Sequence, residues 1–119
     1  MDWVRLVRDL ARIFQALSDV NRIRILKMLE KRSLCVCEIT AILELATSTV
    51  SKHLSVLRNA GFITDAKEGK WINYSLIESP SSPYINRLLP LVAAWLPDDG
   101  VVMEDAKKVH SMDRDTLCG

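Results

Sequence analysis

No stretch of this 119-residue chain approaches the roughly 20 consecutive apolar residues that a bilayer-spanning helix needs. The start, Met1-Asp2-Trp3-Val4-Arg5, lacks the charged-then-apolar layout of a secretory signal. These absences predict a soluble chain in the cytoplasm with no membrane partner. Cysteine is scarce: Cys35, Cys37 and Cys118 are the whole complement. In a reducing compartment they read as ligands, reactive thiols or packing groups rather than as a disulfide framework. Only two histidines, His53 and His110, are present. A thiol enzyme needs a base placed beside its nucleophile in a pocket, and neither histidine is so placed in the sequence, so no enzyme is expected.

What is present fits one globular domain. Hydrophobic residues make up 49% and charged ones 26%, ordinary soluble usage, and the length suits a single compact core. The net charge of +1 conceals an uneven distribution. Residues 1–32 carry +4, 33–47 carry −2, 48–74 carry +2, 75–97 balance, and 98–119 carry −3. An acidic end therefore follows a basic body. Residues 1–97 read as the domain and 98–119 as an acidic tail, with a boundary at Pro97-Asp98-Asp99-Gly100, helical potential around residues 103–110 and a loose end.

Trp3, Val7, Leu10, Phe14 and Leu17 recur at helical spacing and form one apolar stripe of a first helix. Ser18-Asp19 offers a cap for a second helix carrying Ile23, Ile25, Leu26, Met28 and Leu29. Ser33 can cap a third, whose buried side is Ile39, Ile42 and Leu43. Thr47-Ser48-Thr49 opens a fourth, with Val50, Leu54 and Leu57 inward and Ala60-Gly61 closing it. Residues 62–67 and 71–76 are strand-like runs on either side of Glu68-Gly69-Lys70, whose glycine permits a hairpin turn. Residues 84–96 are apolar, with Pro90 predicting a kink or an early break. Their apolar content, with that of helix 1, exceeds what so small a core can cover, so both helices read as a dimer interface.

The resulting class is mainly α with a small β-hairpin: a winged helix-turn-helix, dimeric through its N- and C-terminal helices. In such units the second helix of the pair enters the DNA major groove. Its outer face offers Thr47, Ser48, Thr49, Ser51, Lys52, His53, Ser55 and Arg58, and no carboxylate occurs from Thr47 to Ala60. Short hydroxyls allow close approach to bases and phosphates, and the cations neutralise the backbone. Lys67 and Lys70 flank the hairpin tip, diluted by Asp65 and Glu68. Two or three base contacts per unit, at about 1–3 kcal/mol each, discriminate poorly alone. A homodimer on an inverted repeat of double-stranded DNA is the expected partnership.

Cys35-Val36-Cys37 precedes this reading helix. Thiols at i and i+2 on a regular helix point about 200° apart, so joint capture of a soft ion should distort the third helix.

Residues from about Phe14 to Leu76 resemble the ArsR family of metalloregulatory repressors. The resemblance rests on Ala16-Leu17-Ser18-Asp19-Val20-Asn21-Arg22-Ile23-Arg24-Ile25-Leu26, on Thr49-Val50-Ser51-Lys52-His53-Leu54-Ser55-Val56-Leu57-Arg58, on Ala60-Gly61-Phe62-Ile63, and on Gly69-Lys70-Trp71-Ile72-Asn73-Tyr74-Ser75-Leu76. It implies an operator-bound repressor. The thiol pair is similar to that of arsenic-responsive members, which implies As(III) or Sb(III) as effector on Cys35 and Cys37. Some members place a third cysteine further along the same helix, where this chain has Ile39, Thr40 and Ala41. Cys118 is the remaining thiol, brought by the tail from the same or the partner subunit. Cd(II), Pb(II) or zinc, or oxidation of Cys35 and Cys37, are the competing triggers. A zinc site on the last helix is poorly supplied, because residues 84–95 contain no His, Asp, Glu or Cys.

Overall fold

The computed structural model describes residues 3–118, the side chains of Trp3 and Val4 excepted, so the Trp3 end of the expected stripe lies outside the described side chains. Seven helices and three short strands follow one another in these residues. Helix α1 (Trp3–Ala16) buries Ile13 and Ala16, whereas Leu6, Val7 and Phe14 stay exposed. The helix rests on α4; of the predicted stripe, Val7 and Phe14 face outward within one chain while Leu10 and Leu17 are half-buried, Leu17 against the core.

Helix α2 (Val20–Leu29) starts where Asp19 Oδ1 accepts the N–H groups of Asn21 (2.8 Å) and Arg22 (3.2 Å), satisfying donors that a helix start leaves unpaired. Burial raises the Asp19 pKa, but the Arg22 and Asn21 N–H groups, with the charges of His53 and Arg22, outweigh it and hold the carboxyl below its ordinary value. Ile25, Leu26, Met28 and Leu29 enter the core. Lys27 is buried too. Its Nζ donates to the carbonyls of Val92 (2.9 Å), Ala93 (3.4 Å) and Trp95 (2.8 Å) and lies 3.0 Å from Glu30. These carbonyls close α5 (Pro83–Ala94), so a cation sits where a helix end needs donors. Helix α5 continues through Pro90 to Ala94 rather than breaking there.

Strand β1 (Leu34–Cys35) leads into α3 (Val36–Leu43), and α4 (Thr47–Ala60) follows after a short turn. The inner row of α4 is Val50, Leu54 and Leu57, all buried, as its periodicity requires. Gly61 closes it at φ +97°, a conformation that glycine adopts without a Cβ penalty. Strands β2 (Ile63–Glu68) and β3 (Trp71–Leu76) form the predicted hairpin, with Glu68 opposite Trp71 and Gly69 at φ +62° in the turn. The sheet has a third member, since β1 pairs antiparallel with β3 in the order β1-β3-β2. Two residues carry no periodicity, so only the fold reveals this strand.

The expected tail forms α6 (Gly100–Ser111) and α7 (Arg114–Cys118). Helix α6 packs on α2 and α3, burying Val109 and Asp105. Arg24 grips Asp105 at both oxygens, 2.8 and 3.0 Å, and Arg32 donates to the Val109 carbonyl at 2.9 Å. Two basic residues of α2 and its following loop thus hold an acidic helix. Counting charges by segment hides this pairing, because Asp105 faces a cation 81 residues away in sequence.

Candidate thiol site and nucleic-acid interface

Cys35 is not in the third helix. It is the residue capping α3, with extended backbone angles φ −88° and ψ 167°, and its neighbour in the ladder is Asn73 of β3. Its N–H donates to Glu38 Oε1 at 3.1 Å, and the Glu38 N–H turns back to the Cys35 sulfur. This is a capping box in which a thiol takes the usual hydroxyl's place. Ser33, the expected cap, instead meets the Ser75 hydroxyl at 2.6 Å. Because Cys35 lies outside the helix and Cys37 inside its first turn, the 200° separation of a regular helix does not apply. The two sulfurs already converge, and the expected distortion of α3 is not needed to bring them together.

The third sulfur arrives from α7. The sulfurs of Cys35, Cys37 and Cys118 all lie within 4.8 Å of one another. Cys35 and Cys118 are 4.0 Å apart. Cys37 and Cys118 are in disulfide contact, with Cα atoms 6.1 Å apart, inside the range that a disulfide spans. This pairing departs from the expectation of reduced thiols and changes the oxidisable pair, expected as Cys35 with Cys37. Cys118 comes from the same chain.

Cys35 is buried, Cys37 exposed and Cys118 half-buried. Burial raises the Cys35 pKa, with the Glu38 carboxylate adding to it and the N–H groups of Glu38 and Cys37 opposing. Burial likewise works against the Glu38 carboxylate, but the Arg32 guanidinium at 2.7 Å and the Cys35 N–H outweigh it and hold its pKa below the ordinary value. An ion bonded to sulfur at about 2.3 Å holds its sulfurs within roughly 4.6 Å, close to the observed spacing. The donor set is sulfur alone, which suits soft ions and gives a hard cation nothing to select.

On α4, Thr47, Ser48, Thr49, Ser51, Lys52, Ser55 and Arg58 are exposed, as expected of a reading face. Ala46 is the N-cap and contributes no side-chain bond, so the opening hydroxyls sit in the first turn rather than serving as the cap. His53 departs from the expected set. It is mostly buried, with Nδ1 3.1 Å from Arg22 and Nε2 4.0 Å from Asp19. It braces α4 against the start of α2, the face a residue three places after Val50 shares with the inner row. Arg58 reaches Asp65 on β2 at 2.8 Å, so it ties the reading helix to the wing. Lys67 is exposed, and Lys70 Nζ lies 4.9 Å from the Trp71 ring centroid.

Sequence reasoning missed Glu38, Arg32 and Arg114. Arg114 donates to Glu68 (2.7 Å) and Asn73 (3.0 Å) and stacks 4.3 Å over Trp71. Its one signal is its place four residues before Cys118.

The profile described as "Bacterial regulatory protein, arsR family" matches residues 19–65. The Escherichia coli (strain K12) arsenical resistance operon repressor is 35% identical over 96 residues, covering 80% of this chain and 74% of that protein. A Staphylococcus aureus cadmium resistance transcriptional regulatory protein, a CadC homolog, is 45% identical over 69 residues, covering 57% of each. Among solved structures, the homodimeric winged helix-turn-helix DNA-binding domain of Mb0332 from Mycobacterium bovis superposes with a TM-score of 0.65 at 25% identity, covering 78% of this chain and 82% of that one.

Proposed function

The chain belongs to the ArsR family of bacterial regulatory proteins and is a winged helix-turn-helix transcriptional repressor, and from that membership we propose that As(III) or Sb(III) releases it from DNA by binding to Cys35, Cys37 and Cys118. The observation that carries this reading is the all-sulfur cluster within 4.8 Å. Arsenous acid exchanges its three hydroxyls for three thiolates, and the three thiol protons leave with them as water. A relative named for arsenical resistance supports this effector class.

In this reading the unliganded protein is a cytoplasmic homodimer on an inverted repeat. The outward Leu6, Val7 and Phe14 of α1, with Leu91 of α5 and the neighbouring Trp95, supply the apolar surface that such a dimer would bury. Thr47, Ser48, Thr49, Ser51 and Lys52 face the groove and its phosphates, with Lys67 and Lys70 beside them. The α4 N-terminus lacks a side-chain cap and can accept a phosphate. All three sulfurs already converge, so in this reading the ligand-dependent event is the locking of Cys118, and of α7 with it, into the cluster. Turning occupancy from 99:1 to 1:99 requires about 5.5 kcal/mol of differential binding.

The test is arsenite titration of the full chain, followed by thiolate absorption and by release of a duplex that the unliganded protein selects from a random-sequence pool. Cys35→Ser and Cys37→Ser should bind the duplex and fail to release it. Release by arsenite in both variants refutes the site.

Two other triggers have particular support. Cd(II) or Pb(II) suits thiolates, and another relative is named for cadmium resistance; comparative titration ranks the ions. The disulfide contact of Cys37 with Cys118 favours a redox trigger, in which hydrogen peroxide takes two electrons and two protons from the thiols and leaves as two waters. Release by peroxide without metal, lost in Cys118→Ser, identifies it.

A further inference from the structure

The thiol site and the wing are joined twice. Through the backbone, Cys35 of β1 is registered opposite Asn73 of β3. Through α7, Arg114 and Cys118 stand at i and i+4, one face of a single turn. Arg114 bonds Asn73 and Glu68 and covers the Trp71 ring, and the Asn73 amide bonds Glu68 in turn at 2.6 Å. The guanidinium therefore clasps both wing strands beside their turn. The circuit from Cys35 through Asn73, Arg114 and α7 to Cys118 closes at the sulfur cluster itself.

We propose that Arg114 is the positioning residue that carries occupancy of the thiol site to the wing, an inference that rests on Cys35, Cys37 and Cys118 being the effector ligands. Helix α7 buries no residue of its own and only rests against α3, so its docking leans on its two polar ends. The wing end is an exposed cluster, with Glu68 63% exposed, and exposed ion pairs hold little by themselves. With Cys118 free, α7 leaves the wing readily. With Cys118 tied into the cluster, the Arg114 contacts become intramolecular at high effective concentration and persist.

Persistence has a consequence for DNA. Docked α7 pairs Arg114 with Glu68 and carries the exposed carboxylates of Asp113 and Asp115, which flank Arg114 in the chain, to the hairpin that also bears Lys67 and Lys70. Phosphates approaching that wing meet like charge, and the wing can no longer adjust to the groove.

The experiment uses the full chain, arsenite and the selected duplex, with duplex affinity and thiolate absorption read on the same samples. Arg114→Ala should retain the three-thiol absorption and keep its arsenite-free duplex affinity within about twofold, while the arsenite-induced fall in that affinity shrinks at least about tenfold, within the range of known coupling strengths. Arg114→Lys, which keeps the charge and loses the planar fork, should restore part of the response. Wild-type release in Arg114→Ala overturns the inference and leaves the effector reading intact. Loss of the three-thiol absorption in Arg114→Ala also overturns it, making the residue a support of the site. Failure of the wild-type chain to capture arsenite ends the effector reading and this inference with it.

Discussion

Replacing Asp105 by Ala tests whether α6 delivers Cys118. The Asp105 side chain is 3% exposed and Arg24 is 21% exposed, joined by two bonds of 2.8 and 3.0 Å. Removing one partner of a buried pair costs about 3–5 kcal/mol. Arg24 retains solvent access and an Asn21 contact at 3.4 Å, which brings the expected cost to about 2 kcal/mol. That loss falls on docking of α6, whose other anchors are Val109 and the Arg32 bond to its carbonyl. If Cys118 binds only when α6 is docked, up to the same energy is lost from ion binding, roughly a 30-fold weaker site at about 1.4 kcal/mol per decade. Arsenite titration measures the affinity, and thiol protection counts the ligands. Wild-type affinity with three thiols protected in Asp105→Ala would refute the reasoning, because the tail would then reach the pair without α6.

Three further outcomes are expected. Lys52→Ala should weaken duplex binding across sequences and reduce the slope of log affinity against log salt by about one; an unchanged slope removes Lys52 from the phosphate contacts. Phe14→Glu with Trp95→Glu should yield monomers in sedimentation and a large loss of duplex affinity, whereas a dimer of unchanged stability would place the interface elsewhere. The Asp19 carboxyl is held below its ordinary value, so its contribution is present above about pH 3.9 and is lost as pH falls through the lower folded value. Urea unfolding between pH 5 and 2 should therefore show a steeper loss in the wild type than in Asp19→Asn, which keeps a cap without the charge; equal slopes would contradict the assignment.

The legible parts of the site were those written in short range. The polar face of α4 followed from Val50, Leu54 and Leu57, because three inward residues at helical spacing fix which residues point out. His53 shows the limit of that reasoning. It lies at the edge of the inner row, and the proximity of Arg22 and Asp19 across α2 turned it inward. The Cys35-Val36-Cys37 pair was visible, but its geometry was not, since a two-residue strand opposite Asn73 takes Cys35 out of the helix.

Local pattern alone determined the helix order, the hairpin and its glycine turn, and the soft-ligand character of the thiols, because each depends on residues within a few positions. Tertiary structure decided which sulfurs meet. Cys118 lies 81 residues from Cys37, and the elements that lead to it carry the Arg24–Asp105, Arg32–Val109 and Arg114–Glu68 contacts. Those are pairings between distant charges, and a sequence records the charges without recording which ones face each other.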